Sequence, residues 1–219
     1  MFRYLNWYSC RVLYFTRLKK GVKFMEINKI KPNLFKLSLL TGIGFIAGGF
    51  FRTFLELTLA SQENFLLIFI AIWFGFVVEA IIGMWVLAAL LRSIYPFKKL
   101  WLAGVGAFAA GILLPALFIN QFFVALLILP GLLTGLFFSI FLREHKGRTT
   151  LILSITLGFI ICQIMVFSVQ NDMNWTRWLY ENAGENSVKI IIDMVMNMII
   201  GISVSIGIWY TLNRPIKNK

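Results

Sequence analysis

Charge is scarce in this chain, and so are the residues that usually do chemistry. Only 14% of its 219 residues are Asp, Glu, Lys or Arg, and nine are acids, where a soluble domain carries about 25% charged residues. His145 is the only histidine, which excludes bis-histidine haem ligation and histidine-based metal clusters. The two cysteines are Cys10, in a basic N-terminal segment, and Cys162, inside an apolar run. They belong at different levels and give neither a disulfide nor a CxxC metal site. There is no phosphate-cradling glycine loop, no HExxH and no GxSxG, so neither a nucleotide site nor a common hydrolase is indicated. The connections between apolar runs are too short for a soluble catalytic domain. The chain reads as a non-enzyme without cofactor or metal.

Apolar surface is what the chain has in abundance. Hydrophobic residues make up 59% of it and its mean hydropathy is +0.83, against roughly 45–50% apolar in soluble domains. Six apolar runs, at 37–60, 65–91, 100–120, 122–142, 149–169 and 189–212, are each long enough for about 30 Å of hydrocarbon. The expected fold class is all-α: a polytopic membrane protein with six transmembrane helices. Its parts are a basic N-terminal segment 1–36, a transmembrane domain 37–212 and a basic C-terminal tail 213–219.

A net charge of +12 would suggest nucleic acid in a soluble protein, but here the cations have fixed places. The segment 1–36, the loop 92–99, the loop 143–148 and the tail 214–219 hold 18 of the 21 Lys and Arg residues. By the positive-inside rule both termini are cytoplasmic, and a plasma (inner) membrane is the expected location. Anionic lipid is the expected partner of the basic face, and no nucleic-acid partner is expected. No apolar stretch with a small-residue cleavage site follows the first residues, so no signal peptide is read. Two readings stay open for Met1–Phe24. One is an interfacial helix using Trp7, Tyr8, Tyr14 and Phe15 beside basic residues; the other is an over-extended start, with Met25 the true first residue.

The informative residues are the few polar ones within the apolar runs. Gly44, Gly48, Arg52 and Glu56 are four apart in the first run, hence on one helix face. Asp193, Asn197, Gly201 and Ser205 repeat that spacing in the sixth. Counting about 1.5 Å per residue from the ends of the runs places Asp193 level with Glu56 and Asn197 level with Arg52. Gly44 and Gly48 then fall opposite Gly201 and Ser205, so the first and sixth runs are expected to touch. Gly75, Glu79 and Gly83 put a carboxylate near mid-membrane in the second run, and Gln163 lies in the outer half of the fifth. The third and fourth runs have no charge but carry small-residue stripes, with Pro115 and Pro130 toward the outer side. The long connection 170–188, with Trp175, Trp178 and Tyr180, predicts a short helix at the membrane surface.

Charged groups within a bilayer face partners or a wet cavity, because lipid exposure costs several kcal/mol each. Arg52 alone cannot balance Glu56, Glu79 and Asp193. The expectation is that it pairs with Asp193 or Glu56, and that Glu79, the deepest acid, is a neutral, proton-exchanging carboxyl.

Three functional readings follow. The first is a small-molecule or ion transporter, or the membrane substrate-binding subunit of one, with a site built from Arg52, Glu56, Glu79, Gln163, Asp193 and Asn197. In layout this resembles the six-helix binding subunits of energy-coupled vitamin importers, a likeness of architecture alone. The second is a non-catalytic subunit or assembly factor, whose charges lock helices and whose small-residue stripes receive membrane-protein partners. The third, an intramembrane enzyme using paired carboxylates, trails for want of a nucleophile or metal set.

Overall fold

The computed structural model of the chain describes residues 33–59, 65–116, 123–142, 147–171 and 174–213. The basic segment up to residue 32, the connections 60–64, 117–122 and 143–146, residues 172–173 and the tail from residue 214 lie outside the described residues. Both readings of Met1–Phe24 lie there too.

Seven helices account for most of the described residues: α1 Leu34–Leu59, α2 Phe65–Leu90, α3 Phe97–Ala116, α4 Phe123–Leu142, α5 Arg148–Gln170, α6 Asn174–Ala183 and α7 Glu185–Asn213. Local chemistry sets several of their ends. Asn33 caps α1, its Oδ1 accepting from the backbone N–H of Phe35 at 2.9 Å and of Lys36 at 3.4 Å. Pro96 stands just ahead of α3, where a missing N–H leaves no helical bond unmade, and its carbonyl accepts the N–H of Leu100 at 3.1 Å. Gly184 has φ of 75° and separates α6 from α7. Nothing crowds its Cα, so the left-handed backbone alone requires glycine there. The short helix expected between residues 170 and 188 is α6.

Five helices, α1, α2, α3, α5 and α7, hold stretches long and apolar enough to cross a membrane; in α4 the described apolar stretch is Ile128–Leu142. This is an all-α, polytopic membrane fold. Its outward faces are apolar: Phe50, Phe54, Leu102, Leu153, Leu157 and Ile164 are all exposed. A band of that size suits lipid and not water.

Neighbouring helices run antiparallel. Gly48 lies against Glu79 and Gly44 against Gly83; the indole N–H of Trp73 donates to the Ala109 carbonyl and that of Trp101 to Ile81. One end of the bundle therefore gathers Leu34, Leu90, Phe97, Leu142, Arg148 and Asn213, together with exposed Arg92, Lys98 and Lys99. We call it the basic end, and the other the far end. The helices α1 to α5 pack in chain order, and α7 packs on both α5 and α1, closing a ring of six; α6 rests on α7. Near the middle of α1, α3 and α5, three alternate members of the ring, Phe45, Phe108 and Phe159 meet. Their ring centroids are 5.4 Å apart for the first pair and 6.1 Å for the second.

Candidate functional site

The site begins with how closely α1 approaches its two neighbours. A Cβ on Gly48 would stand 2.5 Å from the Cα of Glu79, and Gly44 lies against Gly83 and Val86 of α2. On another face of α1, Gly42 backs onto Gly201 and Met198, and Gly49 onto the Asn197 amide of α7. This corrects the expected pairing of Gly44 and Gly48 with Gly201 and Ser205. The glycines four apart receive α2, while the pair seven apart receives α7. Both sets let backbones come close, and Arg52 emerges where the three helices converge.

Arg52 is 3% exposed and its guanidinium is engaged on every side. Nη1 donates to Glu79 Oε2 at 2.9 Å and Nη2 to Asp193 Oδ1 at 3.1 Å. Nε is 3.4 Å from Glu56 Oε1, an ion pair without hydrogen-bond alignment. The Phe76 ring lies 4.4 Å from the guanidinium carbon, within cation–π range. The Thr53 hydroxyl donates to Asp193 Oδ2 at 2.8 Å, with the Gly49 carbonyl at 3.1 Å. Toward the far end, Lys189 Nζ lies 3.1 Å from Glu56 Oε2. Glu79 and Asp193 are buried, whereas Glu56 is half-buried and Lys189 exposed.

The structure thus brings Arg52, Glu56, Glu79 and Asp193 together. Asn197 sits one turn further along α7, against Gly49, almost wholly buried and with no hydrogen-bond partner for Oδ1. Gln163 is half-buried, and among the described residues no hydrogen bond ties it to this group. Its neighbour Cys162 is the α5 side chain turned inward, with Sγ 3.5 Å from the Met196 carbonyl.

Two expectations change. Asp193 meets Arg52 and Thr53 instead of lying level with Glu56, and Asn197 faces Gly49 instead of Arg52. The register shifts by about a turn because apolar runs mark helix ends only loosely; α7 begins at Glu185, before its apolar run. Arg52 pairs with Asp193 and Glu56, the two acids expected beside it, and also with Glu79, which was expected to be a neutral, proton-exchanging carboxyl. The sequence reading also missed three participants. Lys189 was read only as the first residue of the sixth run, although it lies four residues before Asp193 and so continues the Asp193–Asn197 stripe. Thr53 and Phe76 carried no signal that set them apart from other residues of their kind.

Among the described residues, with all groups ionised, the ion pairs of Glu56, Glu79 and Asp193 are with Arg52 and Lys189, a surplus of one negative charge. Among the described residues no three His, Cys, Asp or Glu side chains gather as metal ligands. The carboxylates surround the guanidinium and do not share a point. Such an arrangement can hold a proton or a cationic group, and can exchange ion-pair partners when helices move. Comparison with protein-family models, with curated proteins and with solved structures finds no match to the chain.

Proposed function

We propose that the protein is a small-molecule or ion transporter, or the membrane substrate-binding subunit of one, acting without chemistry of its own. In this reading it has six spans, α4 included, in a plasma membrane. The basic end and both termini are cytoplasmic, because 18 of the 21 cations belong to that side. Exposed Arg92, Lys98 and Lys99 then meet anionic lipid headgroups. The far end is the outer one, and the site is Arg52, Glu56, Glu79, Asp193 and Asn197, with Gln163 and Cys162 of α5 as its further candidates.

The observation that carries this reading is the surplus of acceptors around one buried arginine. Fastening two helices takes one acid; here acids from three helices converge, and the Asn197 oxygen beside them has no partner. A net charge buried in a low dielectric is costly, so a proton or a cationic ligand would offset it. A thermal-shift screen of small organic and monovalent cations on the purified protein tests this. A ligand that binds the native state raises its melting temperature by mass action. The expected result is a dose-dependent rise in the wild type that is lost in Glu79→Gln. No rise with any cation tried, in a wild type that melts cooperatively, counts against the reading.

One observation favours the assembly-subunit reading: both terminal nitrogens of Arg52 are already committed to acids. If that reading is right, Arg52→Gln lowers yield and melting temperature, and no ligand response exists to be lost.

A further inference from the structure

The centre of the helix ring is lined unevenly. On α1, Gly44 and Gly48 touch α2 while Gly42 and Gly49 touch α7, so the face between those contacts points into the ring. At 3.6 residues per turn that face carries Ser38, Thr41, Phe45 and Arg52. From the basic end it therefore reads two hydroxyls, an aromatic ring and then the charged cluster.

The two hydroxyls are unusual within this molecule, and Thr134 Oγ1 of α4 is the other buried side-chain hydroxyl among the described residues that has no hydrogen-bond partner. Thr156, Ser168, Ser203, Ser205 and Thr211 each donate to the carbonyl four residues earlier, the usual resting place for a helical hydroxyl. Ser38 Oγ and Thr41 Oγ1 do not; both are buried and neither has a hydrogen-bond partner. A buried polar group left unpaired costs about 1–3 kcal/mol, a cost relieved where water or a solute visits. Between these hydroxyls and the charged cluster stand Phe45, Phe108 and Phe159, from α1, α3 and α5, all buried. Gly83 of α2 backs the Phe45 ring and leaves no room behind it.

We propose that the ring axis is the route between the two ends of the bundle, that Phe45, Phe108 and Phe159 form its constriction, and that the Ser38 and Thr41 hydroxyls line its polar half toward the basic end. This deepens the transport reading and rests on it for its purpose, but it involves none of the charged residues. Apolar constrictions gate by excluding water; three rings in contact across a bundle do so at mid-depth, where a leak would otherwise join the two polar halves. The species that crosses is small and hydrated in part by neutral oxygens, since the basic-end half offers hydroxyls and no carboxylate on this face.

Ion leak into liposomes is the test, because it does not depend on which way the protein inserts. Purified full-length protein is reconstituted, a potassium gradient is imposed, and monovalent-cation entry is followed with an entrapped dye. The wild type is expected to be tight. Phe45→Ala and Phe159→Ala are expected to leak about tenfold faster, and adding Thr41→Val to either should slow the leak again by drying the path. Should the alanine variants not fold, Phe45→Leu, with its smaller loss of volume, is expected to leak about threefold faster than wild type. Variants that melt cooperatively yet are as tight as wild type overturn the constriction. The same measurements in Glu79→Gln separate the two claims. Phenylalanine variants that leak in a protein showing no cation-induced thermal shift leave the constriction standing without the transport reading. A ligand response with tight phenylalanine variants does the reverse.

Discussion

The two sides of the ring are held together in different ways. On one side, α1, α2 and α7 are joined at one depth by Arg52, Glu79, Asp193 and Thr53, with glycine contacts below. On the other, α3, α4 and α5 bury no acid and no arginine in mid-bundle. Gly111 lies against Thr134, and Gly131 and Gly135 lie against the backbone of α5. Near the basic end Arg148 Nε donates to Ser139 Oγ at 3.0 Å. The first side depends on a few directional, desolvated contacts; the second spreads its contacts along whole helices. Packing of the second kind loses a little wherever it is disturbed, whereas a charge cluster loses most of its strength when one member goes. The charged side is therefore where partner exchange could accompany movement, and the apolar side is its scaffold.

The largest expected effect tests that contrast directly. Arg52→Gln leaves three carboxylates around an uncharged amide, and breaking a buried ion pair in this way costs about 3–5 kcal/mol. Thr134→Val on the opposite side removes a buried hydroxyl that has no partner, so it is expected to leave stability unchanged or to raise it by about 1–3 kcal/mol. Denaturation midpoints of the two purified variants check this. If Thr134→Val proves as damaging as Arg52→Gln, the division between the two sides is wrong. A step smaller is Gly48→Ala, whose Cβ would stand 2.5 Å from the Glu79 backbone. Overpacking there should cost about 1–3 kcal/mol and pull Glu79 away from Arg52. Gly106→Ala, with nothing nearer than 3.4 Å on the Phe141 ring, should instead be neutral or gain up to about 1 kcal/mol of helix propensity. Melting temperatures measured side by side separate the two.

Much of this was legible before any coordinates. Uninterrupted apolar runs have only one hydrogen-bonded form open to a single segment in lipid, the helix, so the long helices followed from length alone. Arginine, glutamate and aspartate stand out in such runs, which made the polar residues of α1, α2 and α7 easy to find. Partner choice was not legible. Gly42, Gly44, Gly48 and Gly49 offer several faces, and only the positions of α2 and α7 on either side of α1 decide which glycine meets which helix. The start of α7 was set too late, at Lys189, because hydropathy ends a helix where polarity begins, whereas the backbone helix starts a turn earlier at Glu185. The meeting of Phe45, Phe108 and Phe159 could not have been picked out of 22 phenylalanines, since nothing in their spacing joins α1, α3 and α5.

Depth should decide the value of each charge contact even within the charged side, and the smallest expected effect makes that measurable. Glu56 and Lys189 pair at 3.1 Å, but the lysine side chain is 43% exposed, so water screens the attraction and the long lysine chain loses freedom in forming it. Exposed pairs of this kind couple by about 0.2–1 kcal/mol. A double-mutant cycle of Lys189→Met and Glu56→Gln should return a coupling in that range, and it should shrink in 1 M salt, where charges are screened within about 3 Å. The corresponding cycle of Arg52→Gln and Asp193→Asn should be larger and nearly independent of salt, because both side chains are almost fully withdrawn from water. Equal couplings, or equal sensitivity to salt, would mean that water reaches Arg52 as freely as Lys189. The buried cluster would then be a hydrated surface feature, and the contrast between the two sides of the ring would lose its electrostatic basis.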